Sequence, residues 1–386
     1  EFEGEWERKK FGEIATNRSG KYNPEKEINS IKCIELEHLA SETAQLLGYV
    51  DGKNSGSIKN KFDSGDVLFG KLRPYLKKYL LAPFEGVCSS EIWVLKGTKI
   101  LNEFLFRIVQ TNNFIDLANQ SSGSKMPRAD WSVVENGLFS FPTLPEQSKI
   151  ATFLTAVDEK LQALKKKKSL LEVYKKGVMQ KLLSQELRFK NEDGKEFGDW
   201  EEKKLGEVCD RITTKNKENN TNVLTISAQI GLISQLEFFN KSVSAKNVTG
   251  YYLLHNNDFA YNKSYSNGYP MGAIKRLKRY VKGVVSTLYI CFRFNDSINL
   301  DFMEQYFEMG LQNVEIEKVA QEGARNHGLL NIGVSDFLNI GLILPSHSEQ
   351  TLIANFLSSI DEKINHTQTE ITKTEVWKKG LLQKMF

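Results

Sequence analysis

The chain has 386 residues, a length that at roughly 150 per domain suggests two or three domains, and its 40% apolar and 26% charged content supports packed cores and argues against wholesale disorder. No apolar run approaches the eighteen or so residues of a membrane span, and the acidic opening Glu1–Trp6 lacks the apolar region of a secretory signal. Cys33, Cys88, Cys209 and Cys291 are too dispersed for a disulfide scaffold or a cysteine-based zinc site and fit a reducing cytoplasm, while 52 Lys plus Arg against 48 Asp plus Glu leaves an excess of +4 that by itself announces no nucleic-acid partner.

In chain order, the opening Trp6-Glu-Arg-Lys-Lys-Phe-Gly-Glu-Ile14 leads into a segment of short, strand-like and helical runs. Val67–Phe69 and Glu91–Leu95 read as strands and Glu103–Val109 as a helix. Between the two strands, Gly70-Lys71-Leu-Arg73-Pro-Tyr75-Leu-Lys77-Lys78-Tyr79 interleaves cations with aromatic rings, a pattern that sets charges on phosphates while a side chain reaches a base edge. A loop, Ser121-Ser-Gly-Ser124-Lys125-Met-Pro-Arg128, adds two more cations among small residues that permit close approach. After Pro145 a heptad stripe begins: Ile150, Val157, Leu164, Leu171 and Val178 recur every seventh position, with Leu154, Leu161 and Leu182 four residues after members of that set.

Leu187–Asp199, rich in Lys, Glu, Asp and Gly, reads as a linker. A second mixed segment follows Trp200, with a strand at Ser286–Phe292 and a helix at Asp301–Phe307. Its polar and basic candidates are Lys263, Tyr265, Asn267 and Tyr269 in one loop, Lys275 and Arg276 in a basic run, and Arg325, Asn326 and His327 in another loop. For each candidate segment in either half, the alternative is a solvated turn or the outer face of a strand. After Pro345 comes a second apolar stripe, with Ile353, Ile360 and Leu381 in one register and Leu357, Ile364, Ile371 and Met385 in the other.

The chain repeats itself. Gln147–Lys160 is echoed by Gln350–Lys363, and in the same register Tyr174-Lys-Lys-Gly-Val-Met-Gln-Lys181 falls on Trp377-Lys-Lys-Gly-Leu-Leu-Gln-Lys384. Trp6–Ile14 is likewise echoed by Trp200–Val208, while the segments between share almost nothing. The stripe defects are complementary: the repeat mate of Lys168 is Ile371, and those of Thr367 and Thr374 are Leu164 and Leu171. The two helices are therefore expected to pair with each other; two amphipathic helices packed separately on their own domains are the alternative. Each of about 38 residues spans roughly 57 Å, enough to hold two domains at a fixed separation. The expected architecture is α+β: two mixed α/β domains (1–145 and 200–345), a central helix (146–186), a linker (187–199) and a C-terminal helix (346–386), with the helices forming an antiparallel coiled coil. Because Leu187–Lys190 precedes the second repeat and the chain lacks an initiating Met, its N-terminus is expected to lack a few residues.

Catalytic motifs are missing. No Gly-x-Gly occurs, so the dinucleotide fingerprint is excluded; the five histidines are scattered; and Gly65-Asp-Val-Leu-Phe-Gly70-Lys71 has the spacing of a phosphate-binding loop but places Leu72 where the magnesium-binding hydroxyl belongs. Asp158-Glu159 and Asp361-Glu362 sit beside heptad positions and read as helix-face or interface charges.

Two variable segments alternating with two similar helices, each announced by Leu-Pro and a Gln and continuing Ile-Ala-x-Phe-Leu-x-x-Ile/Val-Asp-Glu-Lys, resemble the specificity subunit of a type I restriction–modification system. Leu144-Pro-Glu-Gln147 carries the motif compactly, Leu344–Gln350 holds three extra residues, and the Gly-Ser-Lys-Met-Pro-Arg128 loop is also similar to the family. The resemblance spans the whole chain. It implies a cytoplasmic, non-catalytic adaptor: two target recognition domains each read half of a split double-stranded DNA sequence, and the helices set the unread spacer. The implied partners are two modification subunits, which carry S-adenosylmethionine and methylate adenine, and restriction subunits that use ATP and Mg2+; no cofactor is expected on this chain itself. The match supports Lys125 and Arg128 at the DNA, whereas the second-domain candidates rest on composition. A protein scaffold without a DNA role and a self-sufficient DNA-modifying enzyme are the competing readings. Residues 146–186 hold nine Lys and five acidic residues, so the whole-chain excess lies in the central helix, whose run Lys165–Lys168 is either a solvated face or a track for spacer phosphates.

Overall fold

A computed structural model describes residues 5–27, 29–120, 126–241, 247–320 and 330–386. The chain forms two compact units, the first from residues 1–167 and 367–386, the second from residues 168–366. The elements that position the sites are β1 Glu7–Lys10, β2 Ala15–Thr16, β3 Val67–Gly70, β4 Tyr79–Leu81, β5 Ile92–Gly97, α1 Asn102–Ile108, β6 Leu138–Phe141 and α2 Leu144–Leu183. They continue with β7 Glu201–Lys204, β8 Cys209–Arg211, β9 Phe259–Asn262, β10 Ala273–Arg276, β11 Ile290–Phe294, α3 Leu300–Glu308, β12 Gly341–Leu344 and α4 His347–Met385.

The variable segments share one framework. In unit 1 an antiparallel sheet runs β2-β5-β3-β4, with Lys96 opposite Thr16, Val94 opposite Leu68, and Phe69 opposite Tyr79. In unit 2 the order β8-β11-β9-β10 is the same, with Asp210 opposite Arg293, Phe259 opposite Phe292, and Tyr261 opposite Ile274. Each opening repeat supplies a strand to a second small sheet, β1 with β6 and β7 with β12. The strand expected at Ser286 begins at Ile290, because Ser286 Oγ accepts the Leu288 N–H at 3.3 Å and its carbonyl accepts the Tyr289 N–H at 3.1 Å, closing a turn first. Additional strands differ between units: a five-stranded sheet containing one parallel pair in unit 1, two separate two-stranded pairings in unit 2.

Each core extends onto the long helices. In unit 1, Phe11, Phe69, Phe104 and Phe114 pack with Ile150 and Leu154 of α2, and Leu381, Leu382 and Met385 of α4 join them. In unit 2, Phe259, Phe292, Phe302 and Phe337 pack with Leu182 and Leu183 of α2 and with Ile353, Leu357 and Ile360 of α4. Within unit 1 the helices lie antiparallel: Leu161 and Leu164 pack on Ile371, Asp158 meets Lys378 at 2.6 Å, and Lys165 meets Glu375 at 2.7 Å. Thr374, buried on the apolar stripe, returns its hydroxyl to the Glu370 carbonyl at 2.7 Å, which satisfies the group inside the helix. Leu187–Asp199 is tied down rather than loose: Arg188 donates to Glu349 and to the Gly198 carbonyl, and Lys190 bridges Glu196.

The repeated motifs join these parts. Gln147 is 1% exposed; its Oε1 accepts the Leu101 N–H at 2.9 Å and its Nε2 donates to the Pro142 carbonyl at 2.8 Å. Gln350 makes the same two bonds, from Asn299 N–H at 2.8 Å and to Pro345 O at 2.9 Å. Trp6 donates to Glu146 and Trp200 to Glu349. The Asp of each Asp-Glu-Lys meets a Lys of the aromatic-Lys-Lys repeat on the opposite helix: Asp158 with Lys378 in unit 1, and Asp361 with Lys175 at 2.8 Å in unit 2. Each Asp also takes a donor from the short helix above it, Arg107 Nη1 at 2.6 Å or Gln305 Nε2 at 3.2 Å. The carboxylates of the repeats are structural partners.

Candidate nucleic-acid interface

The basic and aromatic segment of unit 1 is the connection from β3 to β4. Arg73 and Lys77 adopt left-handed backbone, at φ of 52° and 50°, on either side of a short turn at Pro74–Leu76. This folds the connection back so that four backbone ties hold it. Arg73 N–H donates to Pro127 O at 2.8 Å, Leu72 bridges Arg128, Ala129 N–H donates to Lys71 O at 2.8 Å, and Lys71 N–H donates to Glu91 O at 2.9 Å. Two segments some fifty positions apart in sequence are thus bridged side by side into one platform. Lys71 is half-buried there and Arg73 exposed. Tyr75 is 52% exposed, Lys77 pairs with Glu42 at 3.4 Å, and Arg128 Nε donates to Glu91 Oε2 at 3.0 Å. Ser124 and Lys125 lie outside the described residues.

Unit 2 builds the same junction at β9–β10. Lys263 O accepts the Leu330 N–H at 3.0 Å, as Lys71 O accepts that of Ala129, and Lys263 Nζ donates to Ile332 O at 3.4 Å. The connection carries Tyr265, 61% exposed, and Asn267, also exposed, then turns through Ser266–Tyr269. Gly272 closes it into β10 at φ +77°; a Cβ there would lie 2.3 Å from Asn262 O, so glycine is required. Tyr269 anchors the turn: its hydroxyl donates to Glu308 Oε2 at 2.5 Å and accepts from Lys275 Nζ at 3.0 Å. Burial, and then Glu308, push that phenol up from its usual range.

Lys275 and Arg276 are engaged within unit 2. Lys275 is 7% exposed and ion-paired with Glu308, and Arg276 is held by Asp301 at 2.7 Å and by Asn257 at 2.9 and 2.6 Å. Strand β10 lies against α3, whose acids pair with both cations within the unit, while Lys278 and Arg279 farther along the run stay exposed. Arg325, Asn326 and His327 lie outside the described residues. The Lys165–Lys168 run is likewise partly engaged, Lys165 with Glu375 and Lys168 with Glu172. Sequence reasoning missed Glu42, Glu91 and Glu308, because a carboxylate that orients a cation across the fold has no local signature.

Among the described residues no group of three or more His, Cys, Asp or Glu is placed to hold a metal ion, and no helix is long and apolar enough to cross a membrane. The four cysteines are buried and free, and burial pushes the Cys33, Cys209 and Cys291 thiols up to about 12.

The family model described as "Type I restriction modification DNA specificity domain" matches residues 3–173 and 198–375. The EcoDI type I restriction enzyme specificity subunit of Escherichia coli is 32% identical over 148 residues, 38% of this chain and 33% of that protein. The MjaVIII specificity subunit of Methanocaldococcus jannaschii is 30% identical over 150 residues, 34% of this chain and 35% of that protein. The chain thus aligns with about a third of the length of these curated relatives. Two solved structures share the fold over nearly all of both chains. The HsdS subunit from Thermoanaerobacter tengcongensis has a TM-score of 0.55 at 18% identity, covering 100% of this chain and 97% of that one. The S subunit of a type I restriction–modification system from M. genitalium has a TM-score of 0.57 at 13% identity, covering 99% and 96%.

Proposed function

Because this chain belongs to the type I restriction–modification DNA specificity family, whose model covers both of its repeats, we propose that it is the sequence-reading, non-catalytic subunit of such a complex. Each unit reads one half of a bipartite duplex target. The observation that carries this reading is the platform built twice: Lys71 with Ala129 in unit 1 and Lys263 with Leu330 in unit 2, each beside exposed side chains suited to phosphates and base edges, namely Arg73, Tyr75 and Arg128, or Tyr265 and Asn267. The long helices set the unread spacer, and their pairing within unit 1 supports that role.

Two modification subunits, carrying S-adenosylmethionine for adenine methylation, dock on apolar side chains that the helices leave exposed: Phe153 and Trp377, edge to face at 5.8 Å, in unit 1, and Leu170, Val173 and Tyr174 in unit 2. Restriction subunits with ATP and Mg2+ complete the complex, this chain holds no cofactor of its own, and the assembly works in the cytoplasm, where four unpaired thiols persist. The test is to sequence methylated adenines in DNA from cells expressing this chain with its modification subunit. A bipartite motif is expected, and deleting a heptad from both helices changes its spacer while preserving both half-sites. Absence of any motif, or a spacer indifferent to the deletion, overturns the reading. Binding of the complex to duplex DNA also weakens steeply as salt rises, as expected of a reader that neutralises several phosphates.

A further inference from the structure

We propose that Arg128 reads a guanine in one half-site and that Glu91 is its positioning residue; the inference rests on the DNA-reading role above and names the contact. The backbone on both sides of Arg128 is fixed, by the Leu72–Arg128 bridge, by Arg73 N–H to Pro127 O at 2.8 Å, and by buried Ala129 donating to Lys71 O at 2.8 Å. Its side chain remains 52% exposed. Glu91 is fixed just as firmly, its carbonyl taken by the Lys71 N–H at 2.9 Å at the point where β5 begins. Its carboxylate accepts Nε of Arg128 at 3.0 Å, and the two terminal nitrogens of the guanidinium have no partner among the described residues.

The geometry separates base from phosphate. A cation meant for a phosphate gains from its full charge, as exposed Arg73 does on the same platform. A carboxylate at 3.0 Å cancels most of that charge and would itself repel a phosphate. It does not weaken recognition of a neutral acceptor pair, for which orientation decides. Holding Nε aims the two free N–H donors outward as a fork, and guanine O6 and N7 are the adjacent acceptors that match it. The ligand is therefore a G·C pair seen from the major groove, read by the half-site that belongs to unit 1.

The test uses the full chain in complex with its modification subunits, selecting from a random-sequence duplex library, with thermal melting to confirm that each variant is folded. Wild type selects a bipartite motif with guanine at one position of one half-site. Arg128→Lys keeps the charge and loses the fork, so preference at that single position falls about tenfold or more while every other position is unchanged. Glu91→Ala relaxes the same position, and Glu91→Gln, whose carbonyl still accepts from Nε, restores most of it. If Arg128→Lys lowers affinity equally for all sequences and leaves the motif intact, Arg128 is a phosphate contact and the proposal falls while the DNA-reading role stands. If Glu91→Ala relaxes a different position from Arg128→Lys, or none, the positioning role falls. A wild-type complex that selects no motif overturns the proposal and the reading beneath it together.

Discussion

Removing the carboxylate of Asp158 should cost far more than removing that of Asp361, although the two occupy the same place in the repeat. Arg107, 3% exposed, gives Nη1 to Asp158 at 2.6 Å, and Lys378, 16% exposed, meets the other oxygen at 2.6 Å. Asp158→Ala leaves the guanidinium inside unit 1 with the Thr155 hydroxyl, 2.7 Å from Nη2, as its remaining acceptor. Breaking a buried ion pair from one side costs about 3–5 kcal/mol. In unit 2 the residue above Asp361 is Gln305, a neutral amide, and Lys175 at 19% exposure can turn its head to water, so Asp361→Ala should cost about 1–2 kcal/mol. The double variant Arg107→Gln/Asp158→Ala removes the stranded charge and should be more stable than Asp158→Ala alone by about 2 kcal/mol. Urea unfolding followed by tryptophan fluorescence is the assay, since Trp6, Trp93, Trp131 and Trp377 belong to unit 1 and only Trp200 to unit 2. Equal costs for Asp158→Ala and Asp361→Ala, or no relief from Arg107→Gln, would refute the assignment of the buried charge.

The other expectations are more local. Gln147→Ala and Gln350→Ala each strand a backbone N–H and a carbonyl at a helix entrance and should cost about 2–4 kcal/mol by urea titration, whereas a loss below about 1 kcal/mol would mean that water replaces the amide. Tyr269→Phe keeps the ring but frees the turn from Glu308, so adenine-methylation sequencing should find specificity loosened about three- to tenfold in one half-site only; loosening in both would contradict confinement to unit 2. With their pKa raised to about 12, Cys33, Cys209 and Cys291 carry thiolate at roughly one part in ten thousand at pH 8, and raising the pH toward 12 increases it. A disulfide reagent should therefore label almost none of the four buried thiols in native protein at pH 8 and all four in denaturant, and rapid native labelling would show that a core opens.

Local chemistry was legible without coordinates wherever it is periodic or repeated. The seven-residue stripe identifies α2 and α4 because a helix face recurs on that spacing, and Leu161, Leu164 and Ile371 do meet. The echo of Gln147 in Gln350 and of Trp6 in Trp200 marked residues under a common constraint, although only their partners, Leu101, Asn299, Glu146 and Glu349, reveal what that constraint is. What tertiary structure alone decided is pairing at a distance. The identical strand order of the two middles is invisible in sequence, because a sheet needs apolar alternation and register but no particular side chains. The fate of the cations is likewise non-local. Lys275 and Arg276 looked like a basic surface until β10 lay against the acids of α3, while Arg128 stays half-exposed on a backbone fixed by a segment fifty positions earlier. Charge belongs to the residue, but whether it is spent inside the fold or offered to a partner depends on what the chain brings beside it.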